Sequence, residues 1–459
     1  MRILITGGTG FIGQSLGREL VKQGHQLVVL TRNAEKAPIH SSYPAEFFNW
    51  DGEKEKVPAE ALKGVEAVVH LAGESIADGR WSKKRKAHLR DSRILSTQNL
   101  LAGLKAAKIK PKVFIGTSAI GYYGYSRSVN ITEDSPAGHD FVADLCHDWE
   151  AETLKISEVS PQIRLVVVRV GVVIGEGGGF LGKLVPLFQR GAGAILGSGK
   201  QWVSWIQIDD LVRVFAQALT NEEYKGNINA TAPHPITNAE LTRKLAEHLK
   251  VNLLPPVPSL MLRLLYGELS QLLVNGAAVT SKRLPALGFK FQSRTFSEAL
   301  KKSLPSLNRG EAQVVFHQWV PFKREKVFPF FADENNLERI TPEWLKFRVT
   351  RRTEGPMREG TEFDYKLSLH GLPIKWRTRI EAWKPDHSFV DTQLKGPYEK
   401  WHHYHLLEDL ASGTLLTDRV TYKLHMGFLG RAVAGGYVLG DVSKIFRHRQ
   451  KALYDQFNA

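Results

Sequence analysis

The run RILITGGTGFIG, residues 2–13, constrains this chain more than any other stretch. An apolar strand runs into a turn carrying Gly7, Gly10 and Gly13, and the turn opens a helix with Phe11, Ile12, Leu16 and Leu20 near helical spacing. The first glycine permits the tight turn, the second lets backbone approach a pyrophosphate, and the third lets helix and strand pack closely. Backbone N–H groups of Gly10, Phe11, Ile12 and Gly13, with the positive end of the helix dipole, then face an anion. A glycine pattern alone is weak. In a strand–loop–helix context it marks a dinucleotide site rather than a merely tight turn.

The rest of residues 1–230 fits that opening. QLVVLT, EAVVHLAG, KVFIGTS and IRLVVVRVG are continuous apolar strands, separated by helical stretches such as 82–107 and 141–158. Strands of this kind are parallel and covered on both faces, so the reading is α/β with a doubly wound parallel sheet. Residues 231–303 change character. A helix over NAELTRKLAEHL opens with a capping-type TNAE, a break at LLPPVPS follows, and the segment reads as a small substrate-side lobe. The polar stretch around 304–312 is the expected linker. Residues 313–459 read as a strand, two short helices over 322–340, six further strands, and a closing helix of about 20 residues from Gly440. That order predicts an α+β domain with one curved antiparallel sheet.

A chain of 459 residues suits two or three domains. Cys146 is the only cysteine, which excludes an internal disulfide and favours a reducing, cytoplasmic setting. No apolar run reaches the roughly 18 residues of a transmembrane segment. The net charge of +15 is spread over both parts and peaks in RWSKKRKAHLRDSR, residues 80–93. A solvated helix face is the favoured reading, ahead of attraction for anions. No nucleic-acid module accompanies the charge, so no specific nucleic-acid partner is expected.

The tip of the second strand selects the cofactor. An NAD site places an acid there for the ribose 2′-hydroxyl. This chain has Thr31 and Arg32, and a cation suits the 2′-phosphate of NADP(H).

Here the sequence resembles a known family. TGGTGFIG, HLAG at 70–73 and TSAIGYYG at 117–124 are similar to extended short-chain dehydrogenases/reductases. DSR at 91–93, DWEAE at 148–152, RVGVVIGEGGG at 169–179, WVSWIQIDDL at 202–211 and NATAPHPITN at 229–238 narrow this to the atypical branch of NAD(P)-dependent epimerase or "cell division inhibitor" proteins. The resemblance spans residues 1–303 and implies a Rossmann sheet. It implies that Leu71, Ala72 and Gly73 line the adenine–ribose side, that Thr117 and Ser118 approach the nicotinamide ribose, and that Arg169 belongs with the cofactor residues. Gln207 stands where the family pattern has His, so no role is assigned there.

The family's catalytic pair is missing. Anchored on Glu150, the Tyr position is Val142 and the Lys position is Cys146, and none of the 12 tyrosines has Lys four residues on. Ser118, Tyr122 and Tyr123 are the remaining catalytic candidates, although Tyr122 and Tyr123 also fit a substrate loop. Cys146 reads as a packed apolar cysteine.

FPFFADENNLERITPEWLKF, LHGLPIKWRTRIEAW, GPYEKWHHYHLLED and GTLLTDRVTYKL resemble the START-like (SRPBCC) helix-grip superfamily over nearly all of 313–459. That resemblance implies a sheet wrapped on a C-terminal helix, with a cavity for a lipid-like or other apolar ligand. The aromatic residues could equally fill a core. In HHYH, strand alternation puts His403 and His405 on one face, but no third ligand is visible in the sequence, so no metal is expected. Two functions follow: an NADP(H)-dependent oxidoreductase or epimerase-like enzyme acting on a small molecule, or a non-enzymatic NADPH-sensing, ligand-binding protein.

Overall fold

A computed structural model describes residues 1–125, 130–304, 307–425 and 427–458. The first sheet has seven parallel strands: β1 (Arg2–Thr6), β2 (Gln26–Thr31), β3 (Glu46–Asn49), β4 (Ala67–His70), β5 (Val113–Ala119), β6 (Arg164–Val170) and β7 (Gly226–Ala230). Their spatial order is β7-β6-β5-β4-β1-β2-β3, so the order reverses between β1 and β4. The edge strands β3 (EFFN) and β7 (GNINA) are too short to stand out from sequence. They pair because their neighbours offer free backbone edges.

Helix α1 (Phe11–Lys22) follows the glycine turn. Helix α2 (Lys83–Ala106) starts on Ser82, whose hydroxyl accepts the Arg85 N–H, and α3 (Phe141–Leu154) starts on Asp140, whose carboxylate accepts two N–H groups. The basic stretch at the head of α2 is partly paired: Arg85 meets Glu74, Lys86 meets Glu268 and Arg90 meets Asp148. In the small lobe the helix Asn238–Leu249 is capped by Thr237, and the helix Phe296–Ser303 by a Thr295–Glu298 box.

The expected linker is tied down. Leu304 and Leu307 are buried, and Asn308 hydrogen bonds Glu311. Residues 305 and 306 of that expectation lie outside the described residues. The second sheet begins at Glu311, two residues before the expected boundary. Its strands are β8 (Glu311–Val320), β9 (Arg348–Arg352), β10 (Glu362–Leu369), β11 (Leu372–Lys384), β12 (Ser388–Lys395), β13 (Lys400–Leu410) and β14 (Gly413–Lys423). All pairs are antiparallel, in the order β8-β14-β13-β12-β11-β10-β9.

Helix α4 (Gly427–Asn458) lays Phe446 and Leu453 against this sheet. It has 32 residues and starts 13 before the expected Gly440. Glycines inside a helix cost only about 1 kcal/mol each, so Gly430, Gly435 and Gly436 do not stop it. The second sheet docks on the segment between β2 and β3: the Trp319 N–H donates to Ser41 O (2.8 Å), and the Gln318 side-chain amide donates to Ile39 O (3.1 Å). Among the described residues, no helix is long and apolar enough to cross a membrane.

Candidate dinucleotide site and helix-grip cavity

Where the strand order reverses, the C-terminal ends of β1, β2 and β4 frame a cavity of about 280 Å³. Its wall contains Gly7, Gly10, Thr31, Arg32, Leu71, Ala72 and Gly73, with Trp50, Asp51, Ser92 and Ser96 added by the fold. The glycines are there for steric reasons. Gly7 has φ +69°, and a Cβ on it would sit 2.9 Å from the Leu71 carbonyl carbon. A Cβ on Gly13 would sit 2.4 Å from Gly7 O, so the helix could not start against the loop. The Phe11 ring packs under the EGGG turn, where a Cβ on Gly178 would lie 2.3 Å from it. Phe11 and Ile12 therefore face the site through their backbone N–H groups, which lack intrahelical acceptors at this helix start.

A buried polar chain supports the floor. Thr6 Oγ1 accepts the Ala72 N–H (3.1 Å) and pairs with His70 Nδ1 (2.7 Å), while His70 Nε2 meets Thr97 Oγ1 (3.0 Å). The Thr97 hydroxyl donates to Arg93 O and accepts from Trp149 Nε1. Thr97 is thus left to accept from His70 Nε2–H, and His70 Nδ1 accepts from Thr6. Burial pushes the His70 pKa down to about 4, so the ring is neutral.

Arg32 is 78% exposed and stands 3.7 Å from Glu74, which also faces Arg85. At the end of β5, the Thr117 hydroxyl is buried with no hydrogen-bond partner among the described residues, while the buried Ser118 hydroxyl faces the Cys146 thiol. Tyr123 is already committed: its hydroxyl accepts from Arg169 (2.8 Å) and donates to Asn229 (2.7 Å). Burial raises its pKa further. Arg169, expected among the cofactor residues, is engaged within the fold. Its guanidinium makes a buried bidentate pair with Glu150 (2.9 and 2.7 Å) and lies 3.5 Å from the Tyr122 ring centroid. It braces the tyrosine turn and takes no part in the cavity wall. Among the described residues, no hydrogen bond holds the Tyr122 hydroxyl.

The positions of the missing pair are apolar. Val142 and Cys146 pack with Trp81, Leu89 and Leu269, and burial pushes the Cys146 thiol up to about 12. Sequence reading passed over Arg93. It is largely buried, packs against Gly73, stacks over Trp149 at 5.2 Å and donates to two backbone carbonyls, and among the described residues it makes no ion pair.

In the second domain a cavity of about 210 Å³ remains between the sheet and α4. Phe331, Trp376, Phe389, Trp401 and Phe446 line it, so the aromatic residues do not close the core completely. His403 and His405 do share a face, but the absence of a third ligand is overturned: Asp391 from β12 joins them, with ligand atoms all within 4.8 Å. Asp418 from β14 contacts both histidines as well. These partners are about a dozen residues away in sequence, and only the strand register brings them in.

The glycine cradle at the strand-order reversal, the small lobe beside it and the grip of sheet on helix define an extended short-chain dehydrogenase/reductase-type protein fused to a helix-grip domain. Residues 3–230 match the NAD dependent epimerase/dehydratase family, 257–303 a domain of unknown function (DUF1731), and 320–449 the polyketide cyclase/dehydrase and lipid transport family. A chloroplastic SDR39U1 homolog of Arabidopsis thaliana is 38% identical over 304 residues, 66% of this chain and 86% of that protein. YfhF of Bacillus subtilis is 35% identical over 303 residues, 66% of this chain and 97% of that protein. The crystal structure of human SDR39U1 with NADPH superposes with a TM-score of 0.60 at 31% identity, covering 67% of this chain and all of that one. The chain belongs to the SDR39U1 epimerase family and carries the additional C-terminal domain.

Proposed function

We propose that the first domain is an NADP(H)-dependent oxidoreductase or epimerase-like enzyme for a small molecule, and that the second domain holds an apolar ligand. The observation that carries the reading is the 280 Å³ cavity, which unites the glycine loop with Thr31 and Arg32. Bound NADPH supplies a hydride. Gly7 to Gly13 hold the pyrophosphate, Arg32 the 2′-phosphate, Leu71 to Gly73 the adenosine side, and Thr117 and Ser118 the nicotinamide ribose. NADPH in the human SDR39U1 structure supports this assignment. Tyr122 is the proton donor of the proposal, because the Tyr123 hydroxyl is spent on Arg169 and Asn229. Arg93 supplies a fixed positive charge near the position of the family's lysine. The 210 Å³ cavity is below the roughly 300–1,000 Å³ of drug-sized sites, so its ligand is small as the domain stands.

One observation favours the alternative, a non-enzymatic NADPH sensor: apolar packing at Val142 and Cys146. The test is NADPH oxidation by the full chain with a panel of aldehydes, ketones and nucleotide sugars, for wild type and Tyr122→Phe. Turnover that falls about 10²–10⁴-fold in the variant supports the enzyme. Saturable NADPH binding with no turnover on any of them selects the sensor.

A further inference from the structure

We propose that Asp391, His403 and His405 bind one divalent transition-metal ion in the wall of the helix-grip cavity. Alternation along β13 sends both imidazoles to the concave face. Strand register then places Asp391 opposite His403 and Asp418 opposite His405. Asp391 Oδ2 lies 3.1 Å from His403 Nδ1 and 2.8 Å from His405 Nε2. An ion with bonds of about 2.0–2.2 Å keeps adjacent ligands about 3 Å apart, which both Asp391 spacings match; the three ligand atoms all lie within 4.8 Å of one another, so a small closing of the two rings brings them onto one ion.

The opposite edges of both rings are also held. His403 Nε2 is 2.9 Å and His405 Nδ1 3.1 Å from Asp418 Oδ1. A carboxylate behind a histidine fixes the tautomer that turns the other nitrogen's lone pair toward a metal. Arg449 stands 3.4 Å from the same Asp418 oxygen and balances the charge of that outer carboxylate. Two imidazoles and one carboxylate suit zinc, iron(II), cobalt or nickel better than magnesium or calcium. All three ligands line the cavity, so a carbonyl or carboxylate on an otherwise apolar ligand can reach an open position on the ion. This gives the cavity a chemical selectivity that its aromatic wall lacks, and it does not depend on the dinucleotide domain being catalytic.

One contact offers a competing arrangement. Arg449 Nη2 lies 3.2 Å from His405 Nδ1. If that nitrogen accepts from Arg449, His405 Nε2 carries the proton and donates to Asp391, and the side chains close as a metal-free network. The deciding experiment uses the full chain without a polyhistidine tag, stripped with chelator. It is titrated with Zn²⁺ by calorimetry and with Co²⁺ by visible absorption.

The expected result is one ion per chain with a cobalt spectrum of mixed nitrogen and oxygen ligation. Asp391→Asn, His403→Gln and His405→Gln should each abolish saturable binding. Asp418→Asn should weaken it about 10- to 100-fold, and His402→Gln, on the opposite strand face, should leave it unchanged. Circular dichroism reports whether each variant is folded. Wild-type protein that takes up no ion at about 100 μM, far above the affinities of built zinc sites, overturns the proposal. So does a cobalt spectrum of oxygen ligands alone, which needs no variant, or a folded His403→Gln that binds like wild type.

Discussion

The Arg32 guanidinium stands 3.7 Å from Glu74 Oε1 at the lip of the dinucleotide cavity. The cation that favours a 2′-phosphate thus faces a carboxylate competitor. Arg32→Ala should weaken NADPH about tenfold to a hundredfold, the worth of a charge-assisted hydrogen bond, and leave NADH nearly unchanged. Glu74→Gln should tighten NADPH by a few-fold. Fluorescence titration of both cofactors checks this, and equal wild-type affinities for NADPH and NADH would sink the assignment.

Arg169 and Glu150 should matter to stability rather than to cofactor contact. Both are buried, and burial alone would depress the Arg169 pKa, but Glu150 more than offsets it and the pKa is raised. Removing one partner of such a pair costs about 3–5 kcal/mol, because the other charge is left stranded. Glu150→Leu and Arg169→Met should each lower the melting temperature sharply, and the double variant should recover part of the loss. Purely additive losses would show that the pair is not coupled.

Cys146 should be inert. With its thiol pushed up to about 12, almost no thiolate exists at pH 8. Native protein should react with a disulfide reagent only after denaturant is added. Cys146→Ala should keep any NADPH turnover within a few-fold. Fast labelling of the folded chain would contradict the packing at this position.

His70 makes acid stability specific. Its folded pKa is depressed to about 4, whereas an unfolded histidine titrates near 6.5. Below about pH 6.5 the unfolded chain binds the extra proton first. This stability is therefore fully present above that pH and is lost as pH falls toward 4, by up to about 3 kcal/mol. Urea unfolding of wild type and His70→Gln between pH 7 and pH 4 should show a shallower acid slope in the variant. Identical slopes would mean that another group carries the effect.

Much of this chain is written locally. RILITGGTGFIG names its own strand, turn and helix, because a glycine that needs positive φ or close approach leaves a mark at its own position. The start of α3 was equally legible, the helical stretch being expected from residue 141, and so were the six later strands of the second sheet from runs of alternating and aromatic residues. The edge strands β3 and β7 were not, since four or five mixed residues become a strand only when a neighbour supplies the other half of the ladder. The length of α4 was misjudged because glycine's helix penalty is small beside the burial a sheet can supply.

Side-chain roles divide the same way. Thr31 and Arg32 could be placed at the cavity wall from their position at the end of β2, and the absent Tyr–Lys pair was legible from counting. The commitment of Arg169 to Glu150 and of Tyr123 to Asn229, and the meeting of Asp391 with His403 and His405, were decided by tertiary structure alone. Those contacts join different strands and helices. Their partners are fixed by sheet order and strand register, quantities that depend on the whole core and have no local signature. The sequence by itself determined where backbone must bend and which faces must be buried, while the fold decided which polar groups are spent on each other and which stay free for a ligand.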